Sequence, residues 1–445
     1  MKLRLEETVL GALQQYYSEK SVSAKLYREI HSVEILFQKG LFENAVRQIA
    51  KSKKTAVYYQ EYTALFELIK WELKVINAQG FASVSQEEMK SKYREAENSL
   101  KELINAHQYS LFSNTVYLRI RKFGFFRTRA ELKKFGRIMH NPLLKSEEKA
   151  ISVESKYYFY STRIGYANLE GDYQKAFRNT NKIIKILEEH PQLIKKEPRQ
   201  YLAMQQNASV WQYNFKEYEQ TYILLEKLKE FLIAQRTSLS KNLFSRTFYY
   251  VNTVMLYVYN RTGEFEKGVK AIPLLQKEFV KYKVTPLSVE EKWMFDEAVA
   301  VVYFGNRNYS KSIEYLNKII NDKAPDVRGD MQCMARIFSL LVHYEMGNVD
   351  LLRYMVKWTY HFLSKRKMLY KFEQIILDFI SKKSRKMDTR KKTTEAFKEL
   401  KSELEKLLPD PHQRRPLDDF EYIEWLDSKI QNRPFADIIQ EKNRK

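Results

Sequence analysis

The chain has 445 residues, of which 44% are hydrophobic and 14% aromatic, and it carries a formal net charge of +22. This supply of aromatic side chains argues against disorder over most of the chain, because disordered segments are poor in aromatics. The low counts of glycine (12) and proline (10) argue against a turn-rich β-sandwich and favour long helices.

The single cysteine, Cys333, excludes an intrachain disulfide and a multi-cysteine metal site. We interpret it as a core residue rather than a nucleophile, because a free cysteine behaves as a small hydrophobe. The most apolar stretch, residues 248–259, is too short to cross a membrane and is typical of a buried helix. Acidic residues near position 6 interrupt the apolar run that an export signal needs. We therefore expect a cytoplasmic protein.

Apolar residues spaced three and four apart predict amphipathic helices along the N-terminal third of the chain. These helices are predicted at residues 5–20, 24–39, 41–52, 56–77, 85–107, 111–123 and 127–139. Pro142 then predicts a break, because the residue before a proline avoids the helical region.

From residue 149 the pattern becomes regular and predicts consecutive helix pairs. The pairs are expected at 149–169 with 173–189, 198–213 with 217–235, 241–261 with 265–283, 288–305 with 309–322, and 329–345 with 349–364. The turns within the pairs, at positions 171, 216, 263, 307 and 347, are 45, 47, 44 and 40 residues apart. Self-similarity at such a period indicates a stacked-helix solenoid.

The turns share a short phrase, in which a glycine is followed by an aromatic residue two positions later and a small residue three positions after that. The clearest copies are Gly40-Leu-Phe42-x-x-Ala45, Gly171-Asp-Tyr173-x-x-Ala176 and Gly263-Glu-Phe265-x-x-Gly268, with degraded copies at Lys216, Arg307 and Gly347. The glycine is expected to end the first helix in a left-handed conformation that a β-carbon would resist. The small residue is expected to allow the paired helices to approach closely.

This phrase resembles the tetratricopeptide repeat. The best matches are Tyr160, Ala167, Gly171, Tyr173 and Ala176, and Phe37, Gly40, Phe42, Ala45 and Ile49. The period departs from the 34 residues of that family, and the proline that commonly ends each repeat is absent. The resemblance implies an all-α, right-handed α-solenoid of antiparallel helix pairs with long helices. It also implies that the first helix of each pair lines a concave face that holds peptides.

Four regions are expected along the chain. They are an N-terminal helical region (1–145), the tetratricopeptide-like array (146–365), capping helices with a basic loop (366–408), and a proline-containing linker with a short C-terminal helix (409–445). Apolar residues including Phe420 and Leu426 lie on one face of that last helix. The helix could dock on the array or reach another chain.

The register of the first helices predicts a peptide groove. Its candidate residues are Tyr158, Asn168, Gln206, Asn207, Trp211, Tyr213, Thr253, Tyr257 and Asn260. Carboxamides can bind a peptide backbone through donor and acceptor together, and tyrosines offer flat contact area with a polar tip. Alternatively, the tyrosines pack between repeats and the amides face water.

Two basic clusters are candidates for anion binding. Their residues are Arg119, Arg121, Lys122, Arg127 and Arg129, and Lys382, Lys383, Arg385, Lys386, Arg390, Lys391 and Lys392. The first cluster also contains Phe123, Phe125 and Phe126. Cations with aromatics can bind single-stranded nucleic acid, but the phenylalanines could instead pack in the core while the cations face water.

The sequence contains no catalytic motif. The seven histidines include no pair at the i, i+4 spacing of two ligands on one helix face, and no glycine-rich phosphate loop is present. We therefore expect no enzyme activity, no cofactor and no metal. The main hypothesis is a scaffold that binds a protein or peptide, acidic rather than basic because the chain is basic. The alternatives are a nucleic-acid-associated repeat protein and a peptide-sensing regulator.

Overall fold

The structure is a computed structural model that describes residues 2–18, 21–82, 84–124, 126, 128–286, 288–323, 328–383 and 389–444. These residues form α-helices with short 3₁₀ and π turns, and no β-strand occurs among them. The predicted all-α class is confirmed. No helix in the described part of the chain is both long enough and apolar enough to cross a membrane.

The helices are numbered in chain order. The first eleven are α1 (Lys2–Ser18), α2 (Val22–Gln38), α3 (Phe42–Tyr58), α4 (Tyr62–Ala78), α5 (Gln86–Phe123), α6 (Arg129–Phe135), α7 (Val153–Glu170), α8 (Tyr173–Glu188), α9 (Pro191–Lys196), α10 (Pro198–Asn214) and α11 (Tyr218–Ala234). The others are α12 (Lys241–Thr262), α13 (Phe265–Tyr282), α14 (Val289–Gly305), α15 (Tyr309–Ile320), α16 (Gly329–Glu345), α17 (Val349–Lys365), α18 (Lys371–Asp378), α19 (Arg390–Glu405), α20 (Arg415–Asp419), α21 (Tyr422–Gln431) and α22 (Phe435–Arg444).

Apart from the short helix α9, which was not predicted, the helices between residues 153 and 365 begin and end close to the predicted positions. At the C-terminus, the region predicted as a linker with one short helix forms the three helices α20, α21 and α22. Further differences lie in the N-terminal third. Residues 85–123 were predicted as two helices, but they form the single helix α5 because no glycine or proline interrupts its middle. The predicted helix 56–77 is instead divided at Gln60, which adopts a left-handed conformation with φ of 50° between α3 and α4.

Helices that follow one another in sequence pack against one another, as a helical repeat requires. This holds for α2, α3 and α4, and for the run from α11 to α17. Helices two positions apart also touch, for example α12 with α14 and α14 with α16. Each helix from α12 to α16 therefore contacts both the helix before it and the helix after it in the chain.

The turns have the backbone that the repeated phrase predicted. Gly40, Gly171 and Gly263 have φ of 70°, 78° and 70°. Lys216 and Arg307, which replace glycine in the degraded copies, have φ of 65° and 60°. The left-handed conformation is therefore kept even where the side chain resists it.

The small residue of each phrase is buried between helices. Ala45, Ala176, Thr221 and Ser312 are all fully buried. A β-carbon on Gly268 would lie 2.9 Å from a methyl group of Val302 on α14, but 3.5 Å from Tyr259 on α12. At Gly268 the closest contact is therefore with α14, the first helix of the next pair. The contact with α12, the other helix of its own pair, is looser.

The chain forms two compact units, each of which is discontinuous in sequence. Unit 1 comprises residues 1–114, 140–162 and 181–204, and unit 2 comprises residues 115–139, 163–180 and 205–445. The four regions expected from the sequence are, in contrast, continuous segments.

Unit 1 has an apolar core on α2, α3 and α4 that includes Leu26, Ile49 and Leu68. Beside the core, the ammonium of Lys53 lies 2.8 Å from Glu72 and 2.7 Å from Glu95. This partly buried group of charges links α3, α4 and α5 within the unit.

In unit 2 the C-terminal helices α20, α21 and α22 pack on the array. Phe420 contacts Phe304 and Phe338, with ring centroids 5.5 Å and 4.8 Å away. Phe435 stacks on Phe265 at 5.5 Å. The C-terminal segment therefore docks within its own chain, the first of the two alternatives that the sequence left open.

Candidate binding cavity

Unit 2 contains a cavity of about 270 Å³. Its wall is built mainly by α10, α12, α14, α16 and α20, while α7 and α8 contribute Asn168 and Tyr173. Of these helices, α7, α10, α12, α14 and α16 are the first members of successive predicted pairs. The aromatic part of the wall consists of Tyr173, Trp211, Tyr213, Tyr250 and Tyr257.

Helical periodicity places these side chains at the cavity. On α12, Tyr250, Val254, Tyr257 and Arg261 follow one another at intervals of three or four residues, so they share one helix face. Trp211 on α10 is anchored because its indole N–H donates to the Thr180 hydroxyl at 3.0 Å. The Tyr257 hydroxyl donates to the carbonyl of Met294 at 3.0 Å, which ties α12 to α14.

Three arginines line the cavity, and each is held by the protein. Arg261 forms an ion pair with Glu421 and donates from Nε to the Tyr213 hydroxyl at 2.7 Å. Arg261 and Glu421 are both largely buried, with 13% and 11% of their side-chain surfaces exposed.

Arg328 lies 2.8 Å from Glu290 and 2.9 Å from Asp330. Arg415 on α20 donates to the backbone carbonyl of Asn168 and lies over the ring of Tyr173. All three guanidinium groups therefore already have partners within unit 2.

Two carboxylates at the cavity differ from these arginines, because neither is paired with a cation. Among the described residues, no lysine, arginine or histidine nitrogen lies within 4.0 Å of the carboxylates of Glu297 or Asp419. The nearest recorded polar contact of Glu297 is the Tyr257 hydroxyl at 3.4 Å. Both carboxylates face the cavity.

The surroundings of these two groups change their acidity. Loss of contact with bulk water raises the pKa of Glu297 to about 8, and the negative charge of Asp419 adds to the shift while Arg328 opposes it. Asp419 is an exposed residue, and the protein around its carboxyl raises the pKa of that group to about 6 against the opposing charge of Arg415. Both carboxyls therefore hold their protons to a higher pH than free carboxyls do.

The structure brings four of the predicted groove residues to this cavity, namely Asn168, Trp211, Tyr213 and Tyr257. The others do not line it. Thr253 and Asn260 are buried and donate to the carbonyls of Tyr249 and Ala298 at 2.9 Å and 3.0 Å. For these two residues, packing within and between helices is the interpretation that the contacts favour.

The remaining candidates lie elsewhere. Tyr158 belongs to unit 1 and is partly buried. Gln206 and Asn207 are partly buried on α10, and the side-chain nitrogen of Gln206 has no hydrogen-bond partner among the described residues.

Sequence reasoning missed the charged residues of the cavity. Arg261 could have been found, because it lies one helical turn beyond the predicted Tyr257 on the same face. Glu297 lies on a first helix, but its neighbours on α14 gave no charge pattern. No sequence pattern could have identified Arg415 and Asp419 as cavity residues, because only docking of the C-terminal segment brings them to the array.

Two cations of the first basic cluster, Arg119 and Arg121, have partners within unit 2. Arg119 donates to the carbonyl of Gly124 at 3.0 Å and lies over the rings of Phe123 and Phe126. Arg121 is paired with Glu290. Phe126 is 1% exposed in a core cluster, so it packs rather than offering a stacking surface, whereas Phe123 is 57% exposed.

The other candidate cations are exposed or lie outside the residues that the structure describes. Lys122 and Arg129 are exposed, as are Arg390, Lys391 and Lys392 at the start of α19. Arg127, Arg385 and Lys386, together with Phe125, lie outside the described residues, as do the side chains of Lys382 and Lys383. The second cluster is therefore described only at its C-terminal end.

The described residues offer little to metal or thiol chemistry. They include no group of three His, Cys, Asp or Glu side chains placed to hold a metal ion. Cys333 is 3% exposed, and burial raises its pKa to about 12, which disfavours the reactive thiolate.

The sequence was compared with known proteins. No family model matches the chain, and no curated protein is significantly similar to it. The interpretation of the cavity therefore depends on its geometry and chemistry.

Proposed function

We propose that the chain is a non-enzymatic, cytoplasmic scaffold that binds a protein or peptide through the inner face of a tetratricopeptide-like array. The array would be a right-handed solenoid of antiparallel pairs with unusually long helices. The observation that carries the proposal is the origin of the cavity wall. Every helix that the repeat resemblance assigns to the ligand-binding face, from α7 through α10, α12 and α14 to α16, contributes to the wall, which α20 and Tyr173 of α8 complete.

The chemistry of the wall supports this use. Tyrosine and tryptophan provide contact area with few rotatable bonds, and such residues dominate the binding energy of many protein interfaces. The side chain of Asn168 adds a carboxamide that can both donate and accept hydrogen bonds. The net charge of +22 supports an acidic partner, because a basic surface raises the local concentration of anionic chains.

The test is selection of a phage-displayed random peptide library on the full chain, followed by affinity measurement with synthetic versions of the enriched peptides. We expect Tyr257→Ala and Tyr250→Ala each to weaken binding by about tenfold or more, as for an anchor residue at an interface. Tyr354→Ala is the matched control, since Tyr354 is 66% exposed on α17 and does not line the cavity.

Two results would count against the proposal. One is the absence of any enriched peptide. The other is equal loss of affinity in the control and the cavity variants. Tight binding of single-stranded RNA that falls steeply with salt, in proportion to the phosphates neutralised, would favour the nucleic-acid alternative.

A further inference from the structure

The cavity has the size of a single side chain rather than of a folded partner. Its volume of about 270 Å³ corresponds to roughly nine waters at about 30 Å³ each. A long side chain can enter such a space, whereas a helix or strand cannot. The cavity would thus recognise one projecting group of a ligand.

The charge of that group can be argued from the pairing of the wall residues. Arg261, Arg328 and Arg415 are each held by partners in unit 2. An anionic group entering the cavity would have to displace or share those partners. Glu297 and Asp419, in contrast, have no cation within 4.0 Å among the described residues. The uncompensated groups of the cavity are therefore acidic.

The aromatic part of the wall also suits a cation. Ring faces attract ammonium and guanidinium groups within about 6 Å of the ring centroid. Two rings of the cavity already do so within the protein, because Arg261 lies 5.6 Å from the Tyr213 ring centroid and Arg415 lies 5.6 Å from that of Tyr173. No such cation is recorded over Tyr250 or Tyr257 among the described residues.

We propose that this cavity receives an organic cation, namely an alkylammonium or guanidinium group on a chain about as long as a lysine or arginine side chain. Glu297 and Asp419 would bind its N–H groups, and Tyr250 and Tyr257 would contact its apolar stem. This inference rests on the proposed function and specifies the anchor residue of the partner. An acidic partner can present one such basic residue, so the overall charge of the partner and the charge of its anchor are independent.

The first experiment is calorimetric titration of the full chain with agmatine and with pentylamine, using glutarate at equal ionic strength as the anionic comparison. We expect one molecule of each cation to bind and glutarate not to bind. Glu297→Gln and Asp419→Asn should each lower the affinity at least about tenfold, as expected when a charge-assisted hydrogen bond is lost. Both changes keep the side-chain volume and break no ion pair among the described residues, so the fold should be retained.

The matched control is Glu266→Gln, which neutralises an exposed carboxylate on α13 that does not line the cavity. It should leave the affinity unchanged. A second readout is proton release at pH 7. A bound cation favours the ionised form of Glu297, so the observed heat should depend on the ionisation enthalpy of the buffer in the wild type and less so in Glu297→Gln.

A set of peptides tests whether the cation that binds is a free amine or the side chain of a peptide. The same set allows the cation site and the proposed peptide-binding function to fail independently. Three blocked pentapeptides would carry lysine, norleucine or glutamate at the centre of an otherwise identical sequence. Preference for lysine that is lost in Glu297→Gln supports the inference with a peptide as source. Binding of agmatine without any peptide supports the cation site and contradicts the peptide-binding function.

Equal binding of the norleucine peptide, or preference for glutamate, would overturn the cation site and leave peptide binding intact. Failure of agmatine, pentylamine and the lysine peptide to bind the wild type would also overturn it.

Discussion

At the scale of single residues, the turns of the array show how tertiary packing overrides local preference. Lys216 and Arg307 adopt the left-handed conformation with φ of 65° and 60°, at positions where other copies have glycine. For a residue with a β-carbon, this conformation costs roughly 1–2 kcal/mol. Both side chains are exposed, so no burial of the side chain offsets that cost. Packing of the adjoining helices must therefore hold these turns.

We expect Lys216→Gly to stabilise unit 2 by about 0.5–1 kcal/mol, since relief of the left-handed strain is partly offset by the greater freedom of glycine in the unfolded chain. Urea unfolding followed by tryptophan fluorescence would measure this in a Trp71→Phe background. The other four tryptophans all lie in unit 2. Lys227→Gly is the control, because Lys227 is exposed within α11, and the change should cost about 1 kcal/mol there. Destabilisation by both changes would contradict the prediction.

At the scale of elements, the C-terminal helices contribute both to the core of unit 2 and to its cavity. Phe420 is 4% exposed and contacts rings on α14 and α16. The side-chain amide of Asn443 on α22 donates to the backbone carbonyl of Arg261 at 2.7 Å, close to the ion pair of Arg261 with Glu421. The same docking that buries the aromatic rings also places Asp419 at the cavity. Stability of the docked segment and formation of the cavity are therefore coupled.

Phe420→Ala should lower the free energy of unfolding of unit 2 by about 3–5 kcal/mol, as for other large-to-small changes of a buried aromatic residue. Tyr354→Ala should change it by less than about 0.5 kcal/mol, because that ring is mainly in solvent. Hydrogen exchange within residues 415–444 should accelerate in Phe420→Ala alone. If the two variants behaved alike, the docked arrangement of the C-terminal helices would be wrong.

At the scale of the whole molecule, carboxyl groups with raised pKa values make the free energy of unfolding depend on pH. The pKa of Glu297 is raised to about 8, so the folded state keeps a proton there that the unfolded chain loses near pH 4.5. Such a group contributes stability below its unfolded pKa, and the contribution is lost as the pH rises through the folded pKa. The groups that act on Glu297 are Tyr257 on α12, Asp419 on α20, Asp330 in the first turn of α16, and Arg328 just before that helix.

The free energy of unfolding of unit 2 should therefore fall between pH 6 and pH 8, and Glu297→Gln should remove most of that fall. The pKa values of Asp296 and Asp419 are raised to about 6, so their effects on the free energy of unfolding occur at a lower pH than the effect of Glu297. Burial lowers the pKa of His343, which gives an effect of opposite sign below about pH 6.5. Urea unfolding across this range in the Trp71→Phe background measures the difference between variant and parent, and parallel curves would refute the assignment to Glu297.

The sequence alone was sufficient for the features that arise from local periodicity. The spacing of apolar residues located the long helices from residue 153 to 365, because each of them must present an apolar face to its neighbours, whereas the short helix α9 was missed. The repeated phrase located the left-handed turns at Gly171, Lys216, Gly263 and Arg307. The helical register also placed Tyr213 and Tyr257 on the wall of the cavity.

Only the tertiary structure revealed the charged chemistry of the cavity. Asp419 and Arg415 reach it through contacts with residues more than eighty positions away, and no local pattern encodes such a pairing. Whether Glu297 is paired or unpaired depends on which segments pack around it, since ionic partners are set by distance in space. The same holds for Thr253 and Asn260, which share the predicted register but are buried, with Thr253 bonded within α12 and Asn260 bonded to α14. Periodicity determines which face of a helix is buried, and docking of distant segments determines which of those buried groups remain available to a ligand.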